Sequence, residues 1–189
     1  LTASVSSTFT WTVGIITGSI TGASDGSGPT INQTLTNPGN TTAGTVEYIV
    51  TPTSTTGSCP GVPYTITVTV NPLPAIFNVT GVATICAGSS ASITLSGSET
   101  GVNYELRNNS NNNLITTLPG NTNDPLIFST GSVSGTTTFK VVAVNATTLC
   151  TSLMSGTVQI TTNNIPVASF TSNTTNVTTG ATVNFTGSA

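Results

Sequence analysis

Apolar and polar residues alternate with a period of two in several short runs, most cleanly in Phe9-Thr10-Trp11-Thr12-Val13, Val46-Glu47-Tyr48-Ile49-Val50 and Tyr64-Thr65-Ile66-Thr67-Val68-Thr69-Val70. Successive side chains of a strand point to opposite faces, so these runs predict half-buried β-strands with one face on a core. No stretch long enough for a helix carries a 3.6-residue period, and the expectation is all-β throughout. Turn-forming clusters separate the runs: Gly22 to Pro29, Asn37-Pro38-Gly39-Asn40, Asn108 to Asn113 and Pro119-Gly120-Asn121. Glycine and asparagine accept the positive φ that turns require, and proline cannot donate to a ladder.

The pattern repeats. Gly44-Thr45-Val46-Glu47-Tyr48-Ile49-Val50, leading on to Cys59, returns 91 positions later as Gly135-Thr136-Thr137-Thr138-Phe139-Lys140-Val141, leading on to Cys150. After one inserted residue Asn71-Pro72-Leu73-Pro74-Ala75 is answered by Asn163-Asn164-Ile165-Pro166-Val167, and Thr182 to Ser188 echoes Ser92 to Ser98. Like units in tandem follow from such a period. The expected boundaries are 1–73, 74–166 and 167–189. Leu1 aligns with Leu95, so the first unit is expected to enter at its second strand, its first strand lying upstream of this window. About seven short strands per unit suit an immunoglobulin-like sandwich. Proline at each junction favours a stiff connection, because it fixes φ and extends the residue before it.

Composition removes most chemistry. Only 4% of the 189 residues are charged: Arg107 and Lys140 are basic, Asp25, Glu47, Glu99, Glu105 and Asp124 are acidic, and histidine is absent. A general base poised near neutral pH, an imidazole ligand and a basic groove for nucleic acid all need side chains this chain hardly has. No catalytic residue, metal site or cofactor is expected, and no nucleic acid. Asp25 and Asp124 are the only loop carboxylates that calcium could use, but they are scattered singly. Trp11 shares a strand face with Phe9 and Val13 and reads as core rather than as a sugar-stacking platform. Lys140 lies on the face opposite Phe139 and Val141 and reads as a solvated strand residue rather than half of an isopeptide crosslink. Sequons such as Asn32-Gln33-Thr34, Asn145-Ala146-Thr147 and Asn184-Phe185-Thr186 arise freely in a chain this rich in Asn and Thr and receive no role. No run approaches the roughly 18 apolar residues of a membrane span.

Cys59 and Cys150 occupy matched places in the repeats, whereas the counterpart of Cys86 would precede Leu1. The alignment therefore suggests one bridge per unit, Cys86 with Cys150, leaving Cys59 unpaired in this window. Closing a loop of about 65 residues would contribute on the order of 4 kcal/mol and imply an oxidising setting. Three small buried thiols remain the alternative, and a zinc site is poorer still, lacking paired spacing or histidine.

At Thr10-Trp11-Thr12-Val13, Thr34-Leu35-Thr36-Asn37-Pro38, Gly44 to Thr53 and Cys59-Pro60-Gly61 through Asn71-Pro72, the first unit resembles the PKD-like repeats of giant surface proteins of Bacteroidota. The second resembles the immunoglobulin-like repeats of the same proteins, its Ile85-Cys86-Ala87-Gly88-Ser89-Ser90 matching their Cys-x-Gly-Ser start. Val167-Ala168-Ser169-Phe170 looks like the start of a further PKD-type unit. The resemblance implies tandem β-sandwiches in a long extracellular filament, exported by the type IX route and attached to the outer membrane, as in gliding adhesins. The partners it implies are neighbouring repeats, the export and surface machinery, and surface polysaccharide as a candidate ligand. A second class, an accessory spacer or carbohydrate-binding module of a secreted hydrolase, would carry the same units beside a catalytic domain.

Overall fold

The computed structural model describes residues 1–39 and 41–188. Asn40, which closes an expected turn, and Ala189, in the expected start of a third unit, lie outside the described residues. Strands and turns alone make up the fold, with no helix among the described residues.

Strands β1 (Ser7–Ile16), β2 (Gly26–Ser27), β3 (Gly44–Ser54) and β4 (Tyr64–Val70) form one antiparallel sheet in the order β2-β1-β3-β4. The period-two reading sets its faces. Trp11, Val46, Tyr48 and Val50 are buried on one side, and the exposed Thr65, Thr67 and Thr69 lie on the other. Four strands are fewer than expected. The layer over the core face is irregular chain that carries Ile20, Ala23, Ile31 and Leu35 onto the cluster and is tied internally by a single bridge, Thr21 to Thr36. Its glycines and prolines explain why no second sheet forms there. Gly22 sits at φ +94°, and a Cβ on it would collide with the Thr34 carbonyl.

Gln33 takes over part of the work of the missing ladder. Its amide accepts from the Ser24 N–H at 2.9 Å, donates to the Ser24 carbonyl at 2.6 Å, and accepts from the Tyr48 hydroxyl at 2.7 Å. The same Ser24 carbonyl receives Trp11 Nε1–H at 3.1 Å. One side chain thus pairs with loop backbone as a strand would and pins the loop to the sheet. Gln33→Ala should destabilise this unit by about 1 kcal/mol, since it leaves the part-buried Tyr48 hydroxyl without its acceptor and frees the loop at Ser24. Chemical denaturation followed by the fluorescence of Trp11, the sole tryptophan, reads the loss; an unchanged midpoint refutes it.

The second unit is a two-layer sandwich. Strands β5 (Val79–Gly81), β7 (Ser92–Leu95) and β10 (Leu126–Ser129) form the smaller sheet. The larger contains β6 (Thr84–Cys86), β13 (Val158–Asn163), β11 (Thr137–Asn145), β8 (Val102–Asn108) and β9 (Leu114–Pro119) in that order, with β12 (Thr151–Leu153) beside β11. Ile93, Leu95 and Phe128 from one layer meet Tyr104, Leu106, Val141 and Ile160 from the other, all at most 1% exposed. Burying each such side chain stabilises by about 1.5–3 kcal/mol. Val50 lies opposite Trp11, and its repeat counterpart Val141 lies opposite Leu106. The inserted residue falls where the last strand is interrupted between β12 and β13.

The two cores are separate clusters, and Leu73 between them is 54% exposed. Beyond them, β14 (Ser169–Ser172) and β15 (Phe185–Ser188) form a lone hairpin.

The expected Cys86–Cys150 bridge is corrected by the topology: all three cysteines are free. β6 runs parallel to β13, which places Cys86 opposite Asn163, three residues beyond the Ile160–Thr137 pair at the start of β11. Cys150 lies at the other end of β11, where its carbonyl accepts the Asn145 N–H at 2.9 Å. The two thiols are thus separated by most of the sheet, roughly 30 Å at the rise of a strand, and a disulfide needs Cα atoms within about 7 Å. Buried thiols do not describe them either, because Cys59 and Cys86 are exposed.

Candidate interaction surfaces

Titratable groups sit where strand geometry puts them, and they do not converge. Asp25 spends its carboxylate locally, accepting the Val13 N–H at 2.7 Å. Asp124 accepts from the Asn121 side chain while Ser98, 1% exposed, holds the same turn through the Asn121 and Asp124 carbonyls at 2.8 and 2.7 Å. No group of three or more possible metal ligands occurs among the described residues. Lys140 stands opposite Arg107 across β11 and β8, and the Arg107 guanidinium is held by Glu105 at 2.6 Å and by the Asn112 carbonyl at 2.8 Å.

The aromatic residues divide sharply. Trp11 is 7% exposed and packed in the core, which leaves no indole face for a sugar ring. Tyr104 is fully buried, its ring 6.4 Å from Phe77 in an edge-on arrangement, its hydroxyl accepting the Glu99 N–H at 3.0 Å. Burial pushes its pKa to about 12; the hydrogen bond from Glu99 lowers it and the Glu99 charge raises it. Burial also raises Tyr48.

The junction is held from the second unit. The Pro74 carbonyl accepts from the buried Ser152 hydroxyl at 2.8 Å, and the Ala75 N–H donates to Glu99 at 2.8 Å. On the first unit's side, Asn37 Nδ2 donates to the Val70 carbonyl at 2.9 Å. A cleft of about 280 Å³ lies between, lined by Pro72, Leu73, Glu99 and Asn145.

Two largely apolar concavities lie on the first unit. One of about 450 Å³ is lined by Leu1, Phe9, Val50, Val62, Tyr64 and Ile66, and a second of about 430 Å³ by Leu1, Ile31, Leu35, Tyr48, Ile66 and Val68. They share Leu1 and Ile66 and so make one incompletely covered face over β3 and β4. Alternation tells which side of these strands is apolar and not what covers it.

Residues 1–74 match the family model of the PKD-like domain. The match ends at Pro74, between β4 and β5. No curated protein and no solved structure matches the chain. PKD-like domains are generally non-catalytic structural or interaction modules and typically extracellular.

Proposed function

We propose that the chain is a stalk segment of a secreted, repetitive cell-surface adhesin, exported by the type IX route and serving surface attachment in gliding. One observation carries the reading: the terminal strands of the second unit run parallel along its length. The chain enters at Pro74, bonded to Ser152 near the β12 end, and leaves at Asn163 beside Cys86 at the opposite end. Between these points the first and last strands exchange backbone bonds at Ser155 N to Phe77 O (2.9 Å), Val79 N to Ser155 O (2.8 Å), Thr161 N to Ala83 O (2.8 Å) and Ala87 N to Asn163 O (2.9 Å). Tension applied at the two ends loads those bonds in shear, all together rather than one by one. That suits a part whose task is reach and resistance. The near absence of charge and the threonine-rich outer faces fit a solvated spacer.

Antibody raised against the 189-residue chain should label intact cells of the source organism, and in-frame deletion of its coding segment should weaken their attachment to glass. Labelling only after permeabilisation overturns the reading.

A further inference from the structure

We propose that the Asp124–Pro125 peptide bond is a self-scission site, at which the Asp124 carboxylate attacks its own carbonyl carbon and cuts the second unit between β9 and β10. It is the only Asp–Pro bond in the chain; Asn37–Pro38 and Asn71–Pro72 offer a carboxamide instead of the acid. It lies well inside the second unit, in the turn that carries the chain from the edge strand of the larger sheet to the edge strand of the smaller.

The acyl oxygen of this bond is already engaged. Ser98, 1% exposed, donates its hydroxyl to the Asp124 carbonyl at 2.7 Å and shares it with the Asn121 carbonyl at 2.8 Å, while its oxygen is fixed by the Asn121 N–H at 3.0 Å. A donor set in advance on an acyl oxygen stabilises the oxyanion that forms when the carbon is attacked. The rest of the turn is wound on the same serine: Asn123, at φ +67°, donates its N–H to the Ser98 carbonyl at 3.0 Å, and the Asp124 N–H returns to the Asn121 carbonyl at 2.9 Å. The Asp124 carboxylate is tethered in that turn by the Asn121 side-chain amide. Asp124 and Pro125 are both exposed, so water reaches the bond.

In the step itself a carboxylate oxygen of Asp124 bonds to the Asp124 carbonyl carbon, and the tetrahedral centre collapses with breakage of the bond to the Pro125 nitrogen. That nitrogen takes a proton from the acidic solvent and leaves as a secondary amine. The cyclic anhydride left on Asp124 adds one water and opens to two carboxyl groups. Nothing is oxidised or reduced, and nucleophile and carbonyl belong to one residue, so no encounter has to be arranged. β10 remains paired with β7, and Phe128 remains in the core. The two pieces therefore stay in one folded unit, joined only by non-covalent contacts.

Held at about pH 4, where carboxyl groups are present in both their forms, the 189-residue chain should yield fragments 1–124 and 125–189 by mass after denaturation, yet elute as one species under native conditions. The rate should fall on either side of that pH, because the step needs one carboxylate and one proton. Asp124→Asn should stop it. Ser98→Ala should slow it about tenfold with the optimum unmoved, for want of the donor on the acyl oxygen. Amide-exchange protection of β8 and β11 checks that both variants are folded. Tyr104→Ala, which empties the centre of the second core and keeps the same dipeptide, supplies the unfolded comparison and should be cut more slowly than wild type. An uncut wild type overturns the proposal. So does a Tyr104→Ala chain cut as fast as wild type, which would reduce the bond to ordinary acid lability, and so does a folded Ser98→Ala cut at the wild-type rate.

Discussion

Pulled between its ends, the second unit should lengthen by roughly 300 Å in a single step, at the full contour of about 3.5 Å per residue, and by the same amount with or without reductant. The expectation rests on the distance between Cys86 and Cys150. A covalent link between them would withhold most of the residues of the unit, and the oxidised step would shrink to about a third. With Cys86 beside Asn163 and Cys150 beside Asn145, at opposite ends of β11, no such link exists to take the load. Resistance must then come from the parallel terminal strands. Ile85→Pro, which removes a donor in β6 and distorts its pairing with β13, should lower the peak force while leaving the step length unchanged. Single-molecule force spectroscopy reads both quantities. A short step that lengthens on reduction would restore the bridge and remove the shear account.

The strands themselves were legible, because half-buried β-structure writes its period into the side chains. Alternation put Phe9, Trp11 and Val13 on one face of β1, and all three reach the core cluster; the repeat located β11 from β3. Topology was less visible. Cys86 was assigned a partner by position in the repeat, and position says nothing about which pole of a sandwich a residue occupies; that depends on β6 crossing to pair parallel with β13. The irregular cover of the first unit was also hidden. Its order depends on Gln33 bonding both backbone groups of Ser24, a long-range match between one amide and one peptide that no local pattern announces.

Removal of Tyr104 should unfold the second unit and leave the first standing. Its ring is buried without residue in the centre of the sandwich, edge-on to Phe77, and its hydroxyl is the partner of the Glu99 N–H, whose carboxylate in turn holds Ala75. Truncation to alanine leaves a cavity of aromatic size, a cost of about 3–5 kcal/mol, a large share of what holds a domain this size together. Trp11 belongs to the other core, so its fluorescence transition reports the first unit alone, while loss of amide-exchange protection in β8 and β11 reports the second. Tyr104→Ala should abolish that protection and leave the Trp11 midpoint in place; a Trp11 midpoint that falls in step would mean the two cores unfold as one. Alkaline titration isolates the hydroxyl. Below about pH 10 the tyrosine is neutral in both states, and its contribution is fully present. Between about pH 10 and 12 the unfolded chain loses the proton while the folded unit, with its pKa raised to about 12, keeps it, so stability falls by roughly 2–3 kcal/mol across that interval. Tyr104→Phe has no proton to lose and should lack that component of the decline, although it starts lower for want of an acceptor opposite Glu99. Equal alkaline slopes in wild type and Tyr104→Phe would show that the buried hydroxyl is not what titrates.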